Sequence, residues 1–267
     1  MRKKFDRGGG RRSSRNRGKM YIYGKHALME AIAYAPHVIR KVFLSQEASA
    51  DPELRNLLHA KNIGSTPLKN SREADRMVGV DTAHQGVIAI ADPSALMERF
   101  EDALPKLTPT EKTALVLLDE LNDPHNVGAI IRSAVAFGAS GILMPSHHQA
   151  PITGAVVKAS AGMIFRIPII AIGNVNQTVM RLQKEGFRAY ALAAEGNVNV
   201  SEERFDAPSV FIVGNEAKGV REKTLEHSDV VLRIPIDARA ESLNASVSAA
   251  VVLYAWSVWH PDALRGK

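Results

Sequence analysis

Three short stretches combine residues that can orient a polar substrate with glycines that let backbone approach a ligand. The first runs from Asn122 to Arg132, Asn-Asp-Pro-His-Asn-Val-Gly-Ala-Ile-Ile-Arg. Asp123-Pro124 supplies a turn there, Asn126 can cap a helix or donate through its amide, and Arg132 is a long cation on an otherwise apolar helical face. Such a cation either snorkels toward water or reaches for an anion. The second stretch, Phe211 to Gly219, follows an apolar run. Its Gly214 and Gly219 allow a sharp turn and close approach, and Glu216 is placed to hold Arg132 through a charge-assisted bond. The third is Ile234-Pro235-Ile236 followed by Glu241-Ser242-Leu243-Asn244, with Ser242 as a helix cap and Asn244 just inside. Singly these are a snorkelling Arg, a loop acid and a cap. Together they stand at the ends of three strands of one sheet, the edge where α/β folds bind ligands.

The elements that position these loops follow from hydrophobic pattern. After residue 112 the chain alternates strand and helix regularly, which predicts a mostly parallel sheet covered on both faces. Expected strands are Thr113–Leu121, Gly141–Met144, Ile164–Ile170, Phe187–Ala193, Ser209–Val213 and Val230–Ile236. An amphipathic helix is expected over Asn126–Phe137, ended by a left-handed Gly138, and a closing helix over Ser242–Trp259. The closing helix is apolar nearly all round, so it must be covered on more than one side, by its own sheet or by a second subunit. Ahead of this region, residues 20–91 alternate short apolar runs with helical stretches at 27–34, 38–45, 51–61 and 86–90, a small α/β unit. Residues 92–112, with Pro93, Pro105 and Pro109, have no sustained period and read as a linker. The resulting division is 1–19, 20–91, 92–112 and 113–267.

Composition narrows the partners. The 267 residues carry a net charge of +6, but residues 1–19 hold nine Lys and Arg against Asp6 alone, which is +8 and leaves about −2 for the remainder. A Gly/Ser/Arg-rich segment of this kind cannot bury enough surface to fold and is expected to be a disordered basic arm. It would grip phosphate by counterion release without reading sequence. No apolar run reaches the ~20 residues of a membrane-spanning helix, and no secretory leader is seen. Cys is absent, which excludes disulfides, thiolate metal sites and thiol nucleophiles. Neither G-x-G-x-x-G nor G-x-x-x-x-G-K-[ST] occurs, so dinucleotide and triphosphate cradles are not signalled. No metal motif occurs either; the adjacent His147 and His148 read as loop residues.

In order and spacing, the three polar stretches resemble motifs 1, 2 and 3 of the TrmH (SpoU) branch of the SPOUT RNA methyltransferases. Motif 1 corresponds to Asn126–Gly138, motif 2 to Phe211–Val220 and motif 3 to Ile234–Val247. Residues 21–91, with Tyr23-Gly24 and His84-Gln85-Gly86-Val87 at their ends, resemble that branch's L30e-like RNA-binding domain. The resemblance implies an α/β fold whose C-terminal SPOUT domain carries a deep trefoil knot, an exception to the rule against threaded loops. It implies S-adenosyl-L-methionine as methyl donor, no metal, and transfer to a ribose 2′-hydroxyl in RNA, most nearly a guanosine of 23S rRNA. By position, Gly214, Ile234 and Leu243 would bind the donor, while Arg132, Asn126, Glu216, Ser242 and Asn244 match catalytic positions. Ala217 stands where many relatives have Gly. A homodimer acting in the cytoplasm is expected, with the site near the interface. Two other readings stand beside this one: a tRNA 2′-O-methyltransferase of the same branch, and a catalytically silent RNA-binding assembly factor.

A free Arg has a pKa above ~12 and makes a poor base. Arg132 is therefore expected to hold a phosphate and offset alkoxide charge, with Asn126 and Glu216 fixing its guanidinium.

Overall fold

The computed structural model describes residues 18–80 and 82–264; all but Gly18 and Lys19 of the expected basic arm lies outside them. Two sheets organise the chain. The first contains β1 (Met20–Tyr23), β2 (Ile39–Leu44), β3 (Ser65–Pro67) and β4 (Val87–Ala91), in the order β1-β4-β2-β3. Here β4 pairs antiparallel with β1 and β2, and β3 adds in parallel to β2. Helices Lys25–Tyr34 and Pro52–Ala60 pack together against this unit. Asp51 caps the second helix by accepting from Leu54 N–H at 3.0 Å.

The second sheet is built from β5 (Met97–Arg99), β6 (Ala114–Leu118), β7 (Gly141–Pro145), β8 (Ile169–Ile172), β9 (Arg188–Leu192), β10 (Val198–Asn199), β11 (Ser209–Val213) and β12 (Val230–Arg233). Its order is β10-β12-β9-β11-β6-β7-β8-β5, and every pairing is parallel. Side-chain alternation explains the two-faced burial. Val116 and Leu118 point to the face covered by helices Pro124–Ala136 and Ala245–Trp259, in one core with Tyr190, Phe211 and Trp256. Leu115 and Leu117 point to the other, against Ile170, Val179 and Leu182 from the Val175–Lys184 side. From β6 the chain winds outward through β7 and β8, then returns to build β9, β11 and β12 on the other side. The turning point lies between β6 and β11, whose register runs from Ser209 beside Ala114 to Val213 beside Leu118.

Several expectations shift. The stretch 92–112 is not a bare linker: β5 pairs with the edge of β8, and Phe100, Ala103 and Leu104 are buried. The expected strand Ile164–Ile170 divides into a 3-10 turn, Met163–Phe165, and β8, because Pro168 has no N–H to give a ladder. Helix Pro124–Ala136 is capped by Asp123, so Asn126 sits inside its first turn; Asn244, not Ser242, caps the last helix. Gly138 ends the first of these at φ +78 as expected. Among the described residues no helix is long and apolar enough to cross a membrane.

Candidate active site

The β11 exit loop is a tight reversal. Asn215 and Gly219 exchange backbone hydrogen bonds at 3.0 and 2.8 Å, and the Asn215 carboxamide oxygen accepts from Ala217 and Lys218 N–H. A Cβ on Gly214 would lie 2.2 Å from Gly219 C and Val220 N, so only Gly lets the loop fold back this closely. The loop is tied to the end of β6: Asn215 donates to Glu120 O at 2.8 Å, and Arg221 lies 2.6 Å from the buried Asp119 and 3.0 Å from Glu120.

Glu216 projects from this loop toward the start of helix Pro124–Ala136. Its Oε1 accepts from Asn126 Nδ2 and Asp123 N–H, both at 3.2 Å, and its Oε2 from Asn122 N–H at 3.4 Å. Partial burial pushes the Glu216 pKa up, but its own N–H and those donated bonds outweigh this and hold it below the usual carboxylate range. Asn126, itself buried, turns its Oδ1 to Asn244 Nδ2 at 3.0 Å. Asn244 in turn accepts from Ser246 N–H at 2.9 Å and Ser246 Oγ–H at 2.6 Å. One residue from each polar stretch thus meets in a single chain of hydrogen bonds.

Beside this chain lies a cavity of about 450 Å³, lined by Gly214, Glu216, Ile234, Ser242 and Leu243. The volume falls within the roughly 300–1,000 Å³ usual for small-molecule sites. Its wall combines apolar side chains from Ile234, Leu243 and Leu232 with loop backbone, a surface suited to a nucleoside-like ligand. A further wall was not foreseen: Leu192, Ala193, Ala194 and Glu195, at the exit of β9. The signal was present in Glu195-Gly196 directly after an apolar run, at the same edge as the other loops. Arg221, Asp119 and Asn215 were also missed as braces of the β11 loop.

Arg132 stands apart. It is exposed, and it forms no ion pair or side-chain hydrogen bond among the described residues. It lies six positions beyond Asn126 on the helix, which at ~100° per residue turns it about 120° away and ~9 Å along the axis. The expected Glu216–Arg132 bond is therefore absent, and the acid is committed to Asn126 and the turn before it. Among the described residues no cluster of His, Asp and Glu is arranged to hold a metal.

Comparison with known proteins decides the assignment. Residues 113–254 match the model of the SpoU rRNA Methylase family. The chain belongs to that family. Residues 21–97 of this methylase also match the family described as RNA 2′-O ribose methyltransferase substrate binding. Similar curated proteins include the 23S rRNA (guanosine-2′-O-)-methyltransferase RlmB of Pseudomonas putida, 33% identical over 87% of this chain and 94% of that one. Similar folds include the SpoU methyltransferase AviRb of Streptomyces viridochromogenes in complex with AdoMet, at TM-score 0.77 and 22% identity over 95% of each chain. The AdoMet-bound rRNA methyltransferase of Sinorhizobium meliloti aligns at TM-score 0.75 and 24% identity, over 89% of this chain and 86% of that one. The methylase is thus an α/β protein with a parallel catalytic sheet preceded by a substrate-binding unit, as its motifs implied.

Proposed function

We propose that this methylase binds S-adenosyl-L-methionine in the cavity at the carboxyl ends of β9, β11 and β12 and methylates the ribose 2′-hydroxyl of a guanosine in 23S rRNA. The observation that carries the reading is the Glu216–Asn126–Asn244 chain at the rim of a cavity lined by Gly214, Ile234 and Leu243. The names of the RlmB relatives supply the RNA and the base.

When bound, S-adenosyl-L-methionine supplies an electrophilic methyl group on its sulfonium. Gly214 offers backbone where a side chain would intrude, and Ile234 and Leu243 offer apolar contact. Glu216, Asn126 and Asn244 brace the three loops against each other, which keeps the cavity mouth in one shape before RNA arrives. Ser242 lines the same mouth, within reach of a nucleotide placed there. Arg132 has no acidic partner among the described residues and would hold a phosphate beside the target ribose, offsetting charge on the 2′-oxygen as its proton passes to solvent water and the bond to the methyl carbon forms. Alignment of hydroxyl and methyl is the larger contribution, on the order of 7–11 kcal/mol in favourable cases.

Two further parts of the reading concern assembly. Gly214, Ile234 and Leu243 would belong to loops threaded as a trefoil knot, as in the SPOUT resemblance. The methylase would work in the cytoplasm as a homodimer, joined through the exposed apolar side of helix Ala245–Trp259. Arg132 lies one turn from Ala129, which lines that same side with Val247 and Tyr254, so a second copy would seat near it.

The test incubates the protein with unmodified rRNA and tRNA pools and labelled donor, then maps alkali-resistant linkages. Label at a 23S rRNA guanosine is expected. Label confined to tRNA would move the substrate, and no label with either pool, alongside intact RNA binding, would identify a silent assembly factor. Arg132→Ala should abolish transfer while S-adenosylhomocysteine affinity stays within a few fold.

A further inference from the structure

The substrate-binding unit is seated on the catalytic unit through a built contact, and the contact leads to the helix that carries Asn126 and Arg132. Along β1 and helix Lys25–Tyr34, the chain runs against the catalytic segment 154–166. At Gly154 a Cβ would lie 2.3 Å from Tyr21 O and 2.8 Å from the Tyr23 ring. At Gly162, with φ +79, it would lie 2.8 Å from Glu30 Cβ. Glycine at both places lets the two surfaces touch without a spacer. Beyond them the buried Glu30 carboxylate takes two bonds from Arg166, at 2.5 Å from Nε and 2.8 Å from Nη2. The Arg166 guanidinium lies 4.2 Å from the Tyr34 ring centroid. A planar fork held on both oxygens and over an aromatic face fixes angle as well as distance. The helix Gly154–Ala159 within this segment packs on helix Pro124–Ala136.

Resting on the reading that this chain methylates RNA, we propose that Glu30 and Arg166 are positioning residues for the substrate. They hold the RNA-gripping unit at one distance and angle from the cavity, so that RNA bound by residues 21–97 presents one ribose beside Arg132. A tethered unit would deliver many orientations and rely on effective concentration alone. A docked unit removes that search before binding. Removing Arg166 leaves a buried carboxylate without its cation, so the contact should loosen rather than find a new fit.

The experiment uses the full chain, whose lack of Cys permits clean labelling. Lys61→Cys in the substrate-binding unit and Lys184→Cys in the catalytic unit, both exposed, carry spin labels for distance measurement. Alongside, kcat and KM for RNA and the affinity for S-adenosylhomocysteine are read for the parent, Arg166→Gln, Glu30→Gln and the double variant. The parent should give one narrow distance. Each single variant should broaden it and raise KM for RNA about tenfold or more, with donor affinity and kcat at saturating RNA within twofold. The double variant should lose no more than the worse single, because the two residues act as one unit. An unchanged distance in the variants, or a broadened one with unchanged KM, overturns the proposal. A parent with one narrow distance that methylates no RNA would instead sink the functional reading.

Discussion

Glu216, 90 residues beyond Asn126 in the chain, takes a hydrogen bond from the Asn126 amide at 3.2 Å. A carboxylate can only accept, so Asn126 must present its NH2 to Glu216 and its oxygen to Asn244. Asn244 must then give its NH2 to Asn126, which leaves its own oxygen to cap Ser246. One acid thereby sets the orientation of two amides and one helix start.

Asn126→Asp replaces the donor facing Glu216 with a second carboxylate, so two negative groups would meet at the loop junction. Methyl transfer should fall by about 10²-fold, comparable to loss of one oriented polar group in an active site. Asn126→Ala removes both bonds but adds no charge. It should lower stability by about 1 kcal/mol, since Glu216 and Asn244 can turn to water. Kinetics and thermal unfolding of the two variants distinguish the effects, and a fully active Asn126→Asp enzyme would remove this contact from the mechanism.

Acid should weaken the site through Glu216. Its folded pKa lies below the ordinary 4.5, so its contribution is complete above that value and is lost as pH falls through the lower folded pKa. The effect should be small because Glu216 is solvent-exposed on one side. Glu216→Gln should therefore have a Tm below the parent at pH 7, with the difference shrinking toward pH 3. A difference that grows on acidification contradicts the assignment.

Gly214→Ala places a methyl group 2.2 Å from two backbone atoms, which no rotamer can relieve. The loop from Asn215 to Gly219 must shift, at a cost of about 1–3 kcal/mol for overpacking. Calorimetry with S-adenosylhomocysteine should show affinity reduced about tenfold or more, because the shifted loop is a wall of the cavity. Unchanged binding would place the donor elsewhere.

How far the sequence speaks depends on whether the signal is local. Buried strands such as Ser209–Val213 announce themselves as apolar runs closed by Gly or Asn, so the strand-end loops and the parallel sheet were legible. Pairings were not: the acid at Glu216 could face Arg132 or Asn126, and nothing in either stretch separates the two. The caps were misplaced because Asp123 and Asn126, or Ser242 and Asn244, are capping types only two or three residues apart. β5 is three residues long, too short for a period of two to register, although Phe100 and Leu104 beside it are buried. The wall at Ala193–Ala194 is marked in the sequence only by Glu195-Gly196 after the apolar run, and the topology is what shows that β9 ends beside β11.

The closing helix gives the last prediction. The helix, expected to be covered by its own sheet or by a second subunit, buries Ala249, Val252, Leu253 and Trp256 within the chain and leaves Val247, Tyr254 and Val258 46%, 59% and 59% exposed. The exposed three recur at spacings of seven and four, which places them on one stripe. Such a stripe in water is an interaction surface or a liability. Tyr254→Asp puts a charge at its centre and gives up one edge-on ring contact with Phe137, leaving the buried face of the helix intact. In sedimentation the parent should run as two chains and Tyr254→Asp as one. The variant should retain its melting transition and S-adenosylhomocysteine binding but lose most methyl transfer if the proposed second copy seats there, because Ala129 and Ser133, which flank Arg132 on its helix, line the same groove as Tyr254. A parent that sediments as one chain, or a monomeric Tyr254→Asp with full activity, would show that each chain works alone.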